Sequence, residues 1–189
     1  MHEEIEAKLK VDSLAEVERR LHDCSATFLC ETTQMDAYFD TAERGLTRSD
    51  ECLRLRSEKI GRRERLVLAY KGPKQQDDYK KRAEIEVDVR DAGATELLLG
   101  ALGYRKALAF NKRRRLWRLR DCEVALDELP LVGTFVEIEG PDSSAIARVQ
   151  EILDLSHIPH TIESYASLID QALSRLGEEQ REVYLEDRR

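Results

Sequence analysis

Charged residues occupy every second position in one predicted strand after another, and this alternation limits what the chain can fold into more than any other feature. In residues 82–89, Arg82, Glu84, Glu86 and Asp88 alternate with Ala83, Ile85, Val87 and Val89. Glu4, Glu6 and Lys8 alternate with Ile5 and Ala7, and Arg54 and Arg56 with Leu53 and Leu55. Successive side chains of a strand point to opposite faces. Each segment therefore has one ionic face and one apolar face. In a lone strand the ionic face would simply meet solvent. Here basic rows recur in some strands and acidic rows in others, which predicts a sheet with its charges gathered on one side. Lys71, Lys112 with Arg114, Asp127, and Glu137 with Glu139 continue the series.

The elements between these rows read in order. Residues 3–11 form a strand, and Ser13 to Glu16 make a capping box. Leu14, Val17, Leu21 and Cys24 then keep helical spacing. Residues 26–40 are extended, and Gly45 lies in a loop. Strands follow at 52–56 and 65–71, joined through Gly61, and Gly72-Pro73 ends the second. After the strand at 82–89 comes a helix built on Leu97, Leu98, Ala101 and Leu102, with Gly103 placed to stop it. Residues 110–120 form a basic extended segment, and 123–129 with 134–139 an antiparallel pair. Ile146, Val149 and Leu153 mark a further helix. A last helix carries Leu168, Ile169, Ala172 and Leu176 between Ser164 and Gly177. The order predicts an α+β fold, with residues 1–177 as one domain and 178–189 as a polar tail.

Ile5, Leu53, Leu55, Ile85, Val87, Val89, Leu126, Val136 and Ile138 offer an apolar face for the helices to cover. The charged rows are then left on the other face of a sheet that twist tends to curl. Closed round, it becomes a barrel lined by both signs of charge. Such a lumen must be wet, self-paired or filled by charged ligands, because each unpaired ion costs several kcal/mol to desolvate. Charged ligands suit it: Lys and Arg for phosphate oxygens, clustered carboxylates for a hard divalent cation. An open sheet with one solvated face and weak cross-strand pairs is the competing reading.

Composition narrows the function classes. A net charge of −7 disfavours non-specific nucleic-acid binding by the whole surface. The run from Lys112 to Arg118 is basic, but only alternate residues share a face, so Arg113, Arg115 and Trp117 lie opposite Lys112 and Arg114. Cys24, Cys30, Cys52 and Cys122 form no C-x-x-C pair and read as reduced thiols. The sequence has no apolar run of membrane-spanning length and opens with charge at Glu3 and Glu4. The expectation is a soluble cytoplasmic protein.

Taken together, the motifs resemble the CYTH superfamily, the triphosphate tunnel metalloenzymes. They run Glu4-x-Glu6-x-Lys8, Tyr38-Phe39-Asp40-Thr41, Leu53-Arg54-Leu55-Arg56, Lys71-Gly72-Pro73, Arg82-x-Glu84-x-Glu86, Lys112-x-Arg114, Leu126-Asp127 and Gly133-x-Phe135-x-Glu137-x-Glu139. Gln34-x-Asp36-x-Tyr38-Phe39 and Ser164-Tyr165 are most similar to the bacterial class IV adenylyl cyclase branch. The resemblance implies an eight-stranded antiparallel β-barrel, the triphosphate tunnel, with helices on its outside. It implies that Lys8, Arg54, Arg56, Lys71, Lys112 and Arg114 grip phosphates, with Lys8, Lys71 and Arg114 closest to the chemistry. Glu4, Glu6, Asp127, Glu137 and Glu139 would hold Mg²⁺ or Mn²⁺, supported by Glu84 and Glu86. The implied partner is a nucleoside triphosphate or another small triphosphate, with no nucleic acid or membrane, in a chain whose relatives are often homodimers. The implied reaction is ATP to cyclic AMP and pyrophosphate. The alternatives are hydrolysis of tripolyphosphate, thiamine triphosphate or nucleoside triphosphates, and polyphosphate binding without turnover.

Overall fold

The computed structural model describes residues 2–61, 63–73, 80–178 and 181–186, without the side chains of residues 2–4, 80 and 81. These form β1 (His2–Val11), α1 (Leu14–Asp23), β2 (Thr27–Asp40), α2 (Gly45–Arg48), β3 (Cys52–Ile60), β4 (Arg63–Lys71) and β5 (Lys80–Val89). They continue as α3 (Ala92–Ala101), β6 (Arg105–Leu119), β7 (Cys122–Leu129), β8 (Gly133–Glu139), α4 (Ser143–Ile152), α5 (Tyr165–Leu176) and β9 (Glu182–Val183). The loop expected around Gly45 contains the short helix α2. Ser13, Asp91, Asp142 and Ser164 cap the four longer helices by accepting from the backbone N–H three residues on.

Strand order is β2-β3-β4-β5-β1-β8-β7-β6, and β2 also pairs with β6. That last pairing is antiparallel and runs from Thr27 opposite Arg118 to Asp40 opposite Arg105. Pairing therefore leads round the eight strands and back to β2, in the antiparallel barrel expected. The handover comes at Glu6, where β1 stops facing β5 and begins to face β8. β9 lies parallel to β6 outside this ring, at Ala109 and Phe110. Among the described residues no helix is long and apolar enough to cross a membrane.

Packing follows the alternation. Ala7, Leu9, Val124, Leu126, Val136 and Ile138 turn outward and are buried under Val17 and Leu21 of α1 and Ile146 and Val149 of α4. Burying each large aliphatic side chain contributes about 1.5–3 kcal/mol. A second cluster sets Leu99 of α3 on Leu55, Ala37 and Phe39. α5 behaves differently. Its Tyr165, Ile169 and Leu173 pack on Leu108, Phe110, Leu129 and Phe135, residues that share the parity of the charged rows. This helix is seated against the lumen side of β6, β7 and β8 and not on the barrel's outer face.

Two further expectations are corrected. Ile85 and Val87 on β5 stay exposed instead of being covered. On α3, Leu97, Leu98 and Leu102 are exposed and the helix buries Thr95 and Leu99. Leu97, Leu98 and Leu99 are consecutive, so apolar groups wrap most of the helix and periodicity does not select the packing side. All four cysteines are free thiols, as read.

A charged tunnel as the candidate active site

The register of the barrel builds the site. Pairing β1 with β8 sets Lys8 opposite Glu137 and Glu6 opposite Glu139. Pairing β4 with β5 sets Lys71 opposite Glu84, and β6 with β7 sets Arg114 opposite Asp127. Lys8, Arg54, Arg56, Lys71, Lys112, Arg114, Glu6, Glu84, Glu86, Glu137 and Glu139 all line one cavity of about 900 Å³. Every phosphate-gripping candidate is thus brought to one lumen. The side chain of Glu4 lies outside the described residues.

Asp127 is placed differently from the other carboxylates. It has no exposed surface. Arg114 donates to both its oxygens, from Nε at 2.7 Å and Nη2 at 2.6 Å, and Lys112 Nζ lies 3.1 Å away. Burial pushes this carboxyl up, but the charges of Arg114 and Lys112 outweigh that and hold it below its ordinary value. Arg114 also donates to Glu137. Lys8 Nζ sits 3.2 Å from Glu137 and 3.8 Å from Glu6. Lys71 reaches Glu84 at 3.0 Å, and Arg54 lies 3.7 Å from Glu84 and 3.8 Å from Glu86. For Lys112, burial first and neighbouring Arg114 second push the ammonium down to about 7, against the pull of Asp127.

Sequence reasoning missed three contributors. Arg82 lines the cavity and shares the parity of Glu84 and Glu86, a signal that was available. Asp36 lies behind the lining, accepting from Arg56 Nε at 2.6 Å and Nη2 at 2.7 Å. Its signal was the β2–β3 register, which the sequence does not print. Tyr165 enters from α5, and no strand periodicity could have placed it in the cavity. On the opposite face, Arg113 pairs with Glu128, Arg115 pairs with Glu18 and Trp117 is buried.

Burial pushes Asp36 up, yet Arg56 above all, with Arg54 and Lys112, holds it well below the usual carboxylate range. A depressed folded-state pKa adds stability that is complete above the unfolded value and lost as pH falls through the folded one. The barrel is therefore expected to weaken as pH drops below about 4. Asp36→Asn should be less stable at neutral pH and flatter in acid. Urea unfolding between neutral pH and acid measures both, and equal acid slopes for the two proteins would remove Asp36 from that role.

A smaller cavity of about 40 Å³ adjoins the first, lined by Glu6, Glu123, Glu137 and Glu139 with Arg114. Its oxygen donors fit a hard divalent cation, which takes carboxylates and completes its shell with water or phosphate oxygens. Among the described residues no three carboxylates are already gathered at ligating spacing. Glu137 is engaged by Lys8 and Arg114.

Comparison with known proteins points the same way. The CYTH domain family matches residues 2–164. A Methanocaldococcus jannaschii protein with a provisional adenylate cyclase name is 31% identical over 136 residues, 72% of this chain and 75% of that protein. Adenylate cyclase CyaB of Aeromonas hydrophila is 29% identical over 150 residues, 75% of this chain and 74% of that one. Among solved structures, HpAC1 from Hippeastrum superposes with a TM-score of 0.69 at 19% identity, covering 94% of this chain and 97% of its own. HpAC1, provisionally named an adenylyl cyclase, is described as having a dominant triphosphatase activity. At that identity the likeness is one of fold.

Proposed function

This chain belongs to the CYTH domain family, and on that premise we propose that it is a divalent-metal-dependent adenylate cyclase converting ATP to cyclic AMP and pyrophosphate. The observation that carries the triphosphate part is the lumen itself, where cations from β1, β3, β4, β5 and β6 converge on one cavity. The cyclase part is supported by the adenylate cyclase names of relatives at 31% and 29% identity.

The residues divide the work by depth. Asp36 and Asp127 lie behind Arg56 and Arg114, each accepting from Nε and Nη2. A guanidinium has five N–H donors, so donors remain to meet phosphate oxygens with the planar group already fixed, even though Arg114 also donates to Glu137. Such charge-assisted contacts are worth about 1.5–3 kcal/mol each. Lys8, Lys71 and Arg82 extend the positive lining along the chain of phosphates. Glu6, Glu137 and Glu139, with Glu4 by position, would hold Mg²⁺ or Mn²⁺. A bound divalent ion supplies Lewis-acid polarisation of phosphate and lowers the pKa of a coordinated hydroxyl. The chain's own contribution is to hold the triphosphate so that the ribose 3′-hydroxyl lies in line with the α-phosphorus, and to stabilise charge on the leaving pyrophosphate.

A second reading, hydrolysis of a triphosphate by in-line water, is favoured by the triphosphatase activity described for HpAC1 on the same fold. Product analysis separates the two. ATP, tripolyphosphate and thiamine triphosphate are each incubated with Mg²⁺ or Mn²⁺ across neutral and alkaline pH. Cyclic AMP and pyrophosphate in equal amounts are expected from ATP. Orthophosphate with no cyclic nucleotide under any of these conditions would replace the cyclase by the triphosphatase.

A further inference from the structure

Tyr165 is the first residue of α5, set there by the Ser164 cap. It is 7% exposed and lines the large cavity. Its ring meets Phe135 edge-on, with centroids 5.2 Å apart. Lys8 Nζ lies 4.2 Å from the ring centroid and Lys112 Nζ 4.9 Å from it. These lysines stand on β1 and β6, which do not pair with each other. The tyrosine comes from a third element that belongs to none of the charged rows.

An ammonium within about 6 Å of an aromatic centroid is attracted by the ring quadrupole, more strongly when desolvated. A lysine side chain is a flexible stem carrying three donors. Left to carboxylates alone, Lys8 would be drawn to Glu137 and Lys112 to Asp127, from which they lie 3.2 Å and 3.1 Å. The face of an aromatic ring draws the ammonium without adding a carboxylate charge that an incoming anion would have to overcome. We propose that Tyr165 is a positioning residue whose ring is a platform setting the Lys8 and Lys112 ammonium groups where a substrate phosphate meets both. The proposal rests on the triphosphate reading above and adds to it a specific residue that touches the grip from outside the strands.

The ring, and not the hydroxyl, does this, so Tyr165→Phe is the conservative variant. Affinity for inorganic tripolyphosphate with Mg²⁺ and the thermal midpoint are measured for the wild type, Tyr165→Phe, Tyr165→Leu and Phe135→Leu. Tyr165→Phe should bind within about twofold of the wild type, and Tyr165→Leu about tenfold more weakly, the loss of two such contacts. Phe135→Leu removes comparable packing from the same apolar cluster but leaves in place the ring over which both ammonium groups lie, so it should lower the midpoint and leave affinity nearly unchanged. Equal weakening by Phe135→Leu and Tyr165→Leu would overturn the proposal, as would a phenylalanine variant as weak as the leucine one. Should the leucine variant not fold, Tyr165→Met takes its place with the same expectations. Failure of the wild type itself to bind tripolyphosphate would count against the triphosphate reading. The platform is then read without ligand, from the ε-methylene proton resonances of Lys8 and Lys112. These should be shifted upfield by the ring in the wild type and return in Tyr165→Leu; unshifted resonances in the wild type would overturn it.

Discussion

Asp127→Asn is expected to destabilise the protein by about 3 kcal/mol, or roughly 6–12 °C in Tm for a chain of this size. The substitution keeps the shape and removes the charge from a side chain with no exposed surface. It leaves Lys112, 2% exposed, and Arg114 facing each other without the carboxylate both now engage. Removing one partner of a buried ionic group typically costs about 3–5 kcal/mol. The Arg114 side chain keeps 17% exposure, so water screens part of the loss and the lower end of that range applies. Lys112→Met on top of Asp127→Asn should recover part of the stability, because it removes a buried amine whose carboxylate partner is gone. Thermal and urea unfolding of the two variants and the wild type test this. A single variant within about 1 kcal/mol of the wild type would show that the lumen is wet enough for water to replace the carboxylate. Asp127, expected among the metal ligands, accepts from both Arg114 and Lys112 in this structure.

Removal of divalent metal should lower turnover by about three orders of magnitude or more, since a metal's stabilisation of developing charge is worth several kcal/mol. Addition of Mg²⁺ or Mn²⁺ should restore it. Glu139→Ala should raise the metal concentration needed for half-maximal rate by about tenfold or more, with little change in Tm, because it removes an oxygen donor from a solvated cavity. Glu137→Ala should do the same and also loosen Lys8 and Arg114, which it contacts. Turnover that survives exhaustive chelation at full rate would remove the metal from the reaction.

The alternation of charged and apolar residues made the barrel wall legible before any coordinates. Lys8, Arg54, Arg56, Lys71, Lys112 and Arg114 all line the lumen because period-2 parity leaves each strand only two faces. What stayed illegible depends on partners far apart in sequence. Asp36 is indistinguishable from any strand aspartate until β2 is set beside β3 and Arg56 falls opposite it. Tyr165 lies on a helix whose apolar spacing says that it packs, not that it packs against the lumen side of Phe110 and Phe135. The consecutive leucines of α3 defeat the same argument at a smaller scale.

One strand pairing has a bearing on how copies of this chain meet one another. β7 engages β6 only from Arg113 onward, while β2 runs along its other edge down to Arg105. The N-terminal half of β6 would thus present unpaired amide and carbonyl groups along one edge, the kind of edge that recruits a strand from another molecule. The C-terminal segment lies there instead: Ala109 donates to the carbonyl of Arg181 at 2.8 Å, β9 pairs at Phe110, and the amide of Leu185 donates to Asn111 Oδ1 at 2.6 Å. Residues 181–185, within what reads in the sequence as a polar tail, thus occupy part of the edge that another molecule's strand would need. Shortening that tail would be felt in solubility before it was felt in chemistry.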